Sequence, residues 1–340
     1  MFDGLRFFAA FVLAGSFVAG STAVAQSVPE KNPIEIREWT VPYPDSRPRD
    51  PDVESVESVW FVGQRDDYIS NFNPITEEFI RIDLKEGTGP HNLIVDEEGV
   101  IWIAGNRTAT ILRYIPESEV ITEIDMPDDG ARDPHTLVFD QTGRFIWFTV
   151  QGGNFVGRLT KADLSIDLIE VPTPRARPYG LKQSPVTGHI WVALFGTNKL
   201  AEIDPTTLAL SEHELPDEDA RPRRVGITSE GEIYYTDYAR GTLGHFDPEA
   251  RVAEEWTLPS GESSRPYGMA VDGKDRFWVV ETGPAPNTFV GFDSEDETVF
   301  SITHIPSAAG AIRHMDYHAP TGTIWFGTDA NTIGRAKVKE

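Results

Sequence analysis

The chain contains no cysteine. Disulfide cross-links, thiolate nucleophiles and cysteine-ligated metal centres are therefore excluded. Cations are scarce relative to anions, with 30 Lys and Arg against 54 Asp and Glu and a net charge of −24. That balance favours solubility and argues against nucleic acid or an anionic membrane as partner, because both demand a basic surface. Helical periodicity is missing throughout, and no P-loop, nucleophile elbow or zinc motif occurs. Apolar runs are short: none reaches the ~18 residues of a membrane helix.

The one conspicuous apolar run lies at the start. Arg6 precedes an apolar stretch from Phe7 to Ala19, and Ala23-Val24-Ala25 has the small-x-small form of a signal-peptidase site. Residues 1–25 are therefore expected to be a leader, with Gln26 as the new N-terminus. The mature chain, 26–340, is expected to be periplasmic or secreted and monomeric, with no membrane contact after cleavage. The competing reading of this stretch is an uncleaved anchor.

What the chain has in abundance is repetition. Seven segments align on the position following a proline: "SRPRDPDV", "TGPHNLIV", "RDPHTLVF", "ARPYGLKQ", "ARPRRVGI", "SRPYGMAV" and, without the proline, "AIRHMDYH". The aligned residues are Arg49, His91, His135, Tyr179, Arg223, Tyr267 and His314, at intervals of 42, 44, 44, 44, 44 and 47 residues. Eleven or twelve residues further on comes an aromatic in a strand-like context: Trp60, Trp102, Trp147, Trp191, Tyr234, Trp278 and Trp325. A third strand such as "FVGRLTK" and a fourth such as "DLIEVP" follow. Four short strands per ~44 residues predict an all-β, seven-bladed β-propeller with four antiparallel strands per blade, forming a single domain. The last copy lacks its fourth strand, and "IEIREWTVPYP" near the N-terminus supplies one, closing the ring and removing two open sheet edges. The repeated aromatic is expected to pack between adjacent blades.

A feature shared by all copies builds the ring, so function is sought where they differ. The first strand of a propeller blade lines the central channel, and the seven aligned residues are expected around one mouth, where small-molecule sites form. Arg49, Tyr179, Arg223, Tyr267 and His314 are thus candidates for binding a substrate or ligand. Arg suits bidentate recognition of carboxylates; the alternative is that the rim arginines tie adjacent blades together. At the end of the second strand, Asp237 and Glu281 stand in neighbouring blades. A carboxylate pair of this kind holds a hard divalent cation, acts as acid and base, or neutralises nearby arginines. His314, Asp316 and His318 share one strand face, but the two histidines would lie roughly 13 Å apart, too far to ligate one metal.

The pattern P-H-x-(I/L)-x-V-D-x-x-G-x-I-W-F-T followed by a G-R-(I/L) strand is carried best by "GPHNLIVDEEGVIWIAG" and "DPHTLVFDQTGRFIWFTVQGGNFVGRLT". It resembles the streptogramin B lyases, also called virginiamycin B lyases, over essentially the whole chain after the leader. That resemblance implies a carbon–oxygen lyase that opens a cyclic depsipeptide or related lactone by elimination. It also implies Mg²⁺ held by acidic residues and a histidine base at the position after the proline. On it, His135 would be the base, His91 would orient substrate or leaving group, and Asp133 would be a metal carboxylate, with Glu281 and Asp237 as further metal candidates. The family's histidine pair lies late in the chain, whereas His91 and His135 fall in the second and third copies, and Val150 occupies the place of a second acid. Three functions follow: a Mg²⁺-dependent lyase, a non-catalytic propeller binding a carboxylate-bearing ligand or protein partner, or a metal-dependent lactonase or other hydrolase using Asp237 and Glu281.

Overall fold

The computed structural model describes residues 25–26 and 28–338. The expected leader lies almost wholly outside the described residues. The rest forms seven sheets of four strands, each meandering outwards from an inner strand. Blades 1 to 6 begin with the inner strands Pro48–Ser55, Pro90–Val95, Pro134–Phe139, Pro178–Gln183, Pro222–Ile227 and Pro266–Val271. Blade 7 begins at Met315–His318, and its outermost strand is Glu35–Thr40 from the opposite end of the chain, paired antiparallel with Thr332–Lys337. The ring is closed as the sequence implies.

Seven apolar clusters hold the ring, one between each blade and the next. Trp147 packs with Leu181, Val192 and Ala201 of blade 4, and Trp278 packs with Met315, Ile324 and Phe326 of blade 7. The closing strand contributes Trp39, stacked on Trp325 with ring centroids 5.6 Å apart and tilted against Phe72 of blade 1 at 5.2 Å. The repeated aromatic therefore does pack between neighbouring sheets. Its indole N–H, where donated, goes to a turn carboxylate of its own blade: Trp102 to Asp96 and Trp278 to Asp272, both at 2.9 Å.

The glycine of the "G-R" strand has an equally local cause. Gly157 stands opposite Phe148 in the next strand, and a Cβ on it would lie 2.1 Å from that ring. Gly334 stands in the same relation to Phe326. The repeat thus alternates a large ring with a residue that has no side chain, as dense packing demands.

Register corrects one alignment. In blades 1 to 6 the residue four after the strand-opening proline pairs with the repeated aromatic, as Val138 does with Trp147 and Ala270 with Trp278. In blade 7 Trp325 pairs with Asp316. The residue equivalent to His135 is therefore Arg313, and His314 sits one place further along the channel, level with Asp50 and Arg224.

Candidate active site at the basic channel mouth

The inner strands are short, and a register irregularity follows each opening proline in blades 1 to 6. Such bulges re-aim side chains at barrel rims and sites. Here they turn the residues after the proline into the channel, where they meet across the ring rather than along the chain. His91 and His135 are in ring contact, with centroids 3.6 Å apart, and His135 packs on Tyr179 at 4.3 Å. The Tyr179 hydroxyl is hydrogen-bonded to that of Tyr267, two blades on. Arg223 lies over Tyr267 at 3.5 Å and is surrounded by Tyr238 at 4.3 Å, Phe195 at 4.5 Å and Tyr179 at 5.0 Å. His91, His135, Tyr179 and Tyr267 are buried, at 7%, 2%, 3% and 6% exposure.

Arginines ring this cluster. Arg49 pairs with its neighbour Asp50 at 2.9 Å and donates to Gln64 at 3.2 Å. Arg313 makes a two-pronged pair with Asp329, which also takes Arg47 at 3.3 Å. Arg224 donates to the Arg313 carbonyl at 2.6 and 3.1 Å, bridging blades 5 and 7, and to the Thr136 hydroxyl at 3.3 Å. Some rim arginines therefore do tie blades together. Arg223 does not: it faces aromatic rings, its Nε has no hydrogen-bond partner, and it forms no ion pair with an acid among the described residues.

Burial and this basic field set the protonation states. Both histidines are held neutral, with pKa values well below the usual imidazole range, first by burial and then by Arg49 and other nearby cations. His314 is pushed down to about 3, by burial and by Arg224. Burial raises the Tyr179 pKa, but Arg223, Arg224 and Arg49 together outweigh it, so the phenol is more acidic than usual. Burial also holds the Tyr267 pKa above its usual value. The His135 Nδ1 lies 2.9 Å from the Thr136 hydroxyl.

The acids expected to hold a metal are not brought together. Asp133 accepts the backbone N–H groups of Gly152 and Gly153 at 2.6 and 3.1 Å. Asp237 accepts those of Arg221, Ala239 and Arg240 at 3.0–3.1 Å. Glu281 accepts the N–H and hydroxyl of Ser260, both at 2.8 Å. Each carboxylate clamps the loops of its own blade. Among the described residues no group of three histidines or acids is placed to hold a metal ion. Each of these carboxylates is thus already engaged by loop donors rather than gathered with the others around a shared site. The residues that sequence reasoning missed here are Arg313, Arg224, Phe195 and Tyr238. Arg313 was hidden by the missing proline, and the other three sit at places the repeat does not single out.

Comparison with known proteins identifies this ring. The virginiamycin B lyase family matches residues 21–285. The chain belongs to that family. A virginiamycin B lyase from Nocardia farcinica is 31% identical over 236 residues, spanning 69% of this chain and 76% of the relative. The virginiamycin B lyase of Staphylococcus aureus superposes with a TM-score of 0.80 at 19% identity, over 90% of this chain and all of that one. A streptogramin B lyase structure superposes with a TM-score of 0.79 at 21% identity, over 90% of this chain and 98% of that one. The Staphylococcus aureus protein has also been solved as a catalytically inactive histidine-to-alanine variant with quinupristin. At these identities the solved structures establish the shared fold.

Proposed function

We propose that the chain binds an ester- or carboxylate-bearing small molecule at the basic mouth and opens it by elimination, as a carbon–oxygen lyase. The observation that carries this is Arg223. It is a guanidinium with no acidic partner, caged by four aromatic rings, beside two neutral imidazoles. A planar anion or an ester carbonyl completes its hydrogen bonding, and the rings supply apolar surface for the rest of the ligand.

The chemistry follows from the protonation states. With Nδ1–H donating to Thr136, His135 keeps the Nε2 lone pair and can remove a proton from carbon next to a carbonyl. The C–H electron pair becomes the new C=C bond, and the C–O bond breaks with its pair on the departing oxygen. Negative charge that develops on the carbonyl oxygen faces Arg223, in a site already arranged to receive it. An anionic ligand also offsets the arginine field and so raises the basicity of His135, coupling base strength to occupancy. Tyr179, more acidic than an ordinary phenol, is placed to return a proton to the leaving oxygen.

A second reading, binding without turnover, is favoured by one observation. His135 is 2% exposed, so substrate reaches it only if neighbouring side chains move. Quinupristin is the probe that separates the two. Elimination gives a product of unchanged mass, hydrolysis adds water, and binding alone changes nothing. His135→Ala should abolish turnover while leaving ligand-induced thermal stabilisation intact, and Arg223→Met should remove both. Turnover that persists in His135→Ala would overturn the lyase reading. Stabilisation by small carboxylates that is unaltered in Arg223→Met would overturn the binding site itself. The leader composition further supports export to the periplasm or medium, testable by N-terminal sequencing of the secreted form.

A further inference from the structure

The other end of the channel carries a different set of charges. One residue per blade pairs there with the repeated aromatic, and these residues are level with one another around the ring. They are Asp52, Ile94, Val138, Lys182, Gly226, Ala270 and Asp316. Three are charged. Asp52 and Asp316 come from blades 1 and 7, which are neighbours across the ring closure. Lys182 comes from blade 4, on the opposite side. All three line one cavity of about 340 Å³, and Lys182 and Asp316 also line an adjoining one of about 230 Å³. Leu93, Leu137 and Val138 provide apolar wall between the charged ends.

We propose that this far mouth is a second binding site, for a small dipolar molecule carrying an ammonium at one end and a carboxylate at the other. The argument rests on opposite charges that stay apart. The Lys182 side chain forms no ion pair or hydrogen bond among the described residues; burial in the channel lowers its pKa against the opposing pull of Asp316 and Asp52. A lysine on a flexible stem facing two carboxylates would ordinarily reach them; here the void between them is the size of a small-ligand pocket. The carboxylates are held in place from behind, Asp52 by the Val95 N–H at 2.6 Å. They also compete for charge: burial, with Asp316 beside it, pushes the Asp52 carboxyl up to about 8, so near pH 7 the pair retains a proton. A ligand ammonium between them favours loss of that proton, and a ligand carboxylate on Lys182 completes the pairing. His314, neutral on the same wall, adds a polar contact without charge.

The test is calorimetric titration of the mature chain near pH 7 with a ladder of unbranched ω-amino acids, from glycine to 6-aminohexanoate. Saturable binding should peak at one spacer length, and acetate or butylamine should bind at least about tenfold more weakly than the best member. Lys182→Met and Asp316→Asn should each weaken that member by about tenfold or more. Lys182→Met breaks no side-chain hydrogen bond or ion pair among the described residues, so its urea midpoint should not fall below the parent's, which removes misfolding as an explanation. No saturable binding by any member up to about 10 mM would overturn the proposal. So would binding that survives Lys182→Met, because it would then belong to the arginine mouth.

Discussion

His314 offers the sharpest test of the channel's electrostatics. An imidazole held at about 3 in the folded chain titrates near 6.5 when unfolded. The native state then binds fewer protons than the unfolded one between these values, so stability rises with pH across that window and is lost as pH falls through it. The full difference corresponds to about 5 kcal/mol, and at pH 4.5 about 3 kcal/mol of it would already be gone. The ring is partly reached by solvent, so screening reduces that to about 2 kcal/mol. His314→Gln keeps a polar side chain of similar reach that does not titrate. Urea unfolding followed by tryptophan fluorescence at several pH values from 4.5 to 7.5 gives both stability curves. The variant should match or fall below the parent at pH 7.5, and the difference should move in the variant's favour by about 2 kcal/mol at pH 4.5. Parallel curves would show that His314 is protonated in the native channel or freely solvated, and the low-dielectric account of the ring of histidines would fail with it.

Two further outcomes follow. Trp39→Ala should cost about 3–5 kcal/mol, because it empties the cluster joining the closing strand to blades 1 and 7; a urea midpoint within error of the parent would mean that closure does not stabilise the ring. Asp133→Ala should cost about 1–2 kcal/mol through two lost N–H partners and leave any Mg²⁺ titration isotherm unchanged; disappearance of a Mg²⁺-binding isotherm in this variant would restore Asp133 as a metal ligand.

The ring was legible because its determinants repeat. Proline, turn glycine and aromatic recur at fixed offsets, and each has a local job: opening a strand, reversing it, filling the gap to the next sheet. Seven copies average out accident, and even the closing strand is announced by the missing fourth strand of the last copy. The channel is legible only in part. Its contacts join residues one or two repeats apart, so the sequence shows which residues reach the channel but not which of them touch. His91 with His135 was readable as a neighbouring pair. Tyr179 with Tyr267 and Arg224 with the Arg313 carbonyl skip a blade, and nothing local marks them. The seventh copy shows how small a signal decides a site. The interval from the aligned residue to the aromatic is eleven or twelve in the other copies, so Arg313 and His314 fit equally well. Without the proline only hydrogen-bond register separates them.

The acids were hard to read for a related reason. A carboxylate beside a channel is equally suited to a cation and to a row of backbone N–H groups, and sequence does not record which is nearer. Asp133, Asp237 and Glu281 each lie within reach of loop donors from their own blade, and a loop clamp formed within one blade needs no distant partner. Asp52 and Asp316 also take backbone N–H groups, Asp52 that of Val95 at 2.6 Å, but from strands rather than from loops. They are fixed on inner strands, at the same depth, in blades whose contact exists only because the chain's two ends meet. Their competition for charge is therefore built into ring closure, and Lys182 faces it from the opposite side of the ring. The two ends of the channel are thus opposites in construction. At one, unpaired cationic charge is packed among aromatic rings and neutral imidazoles. At the other, a pair of acids that retains a proton near neutrality looks across open space at a single lysine. The first arrangement favours an anion and the second a dipole, so ligands of the two classes should be separable by single substitutions at Arg223 and Lys182.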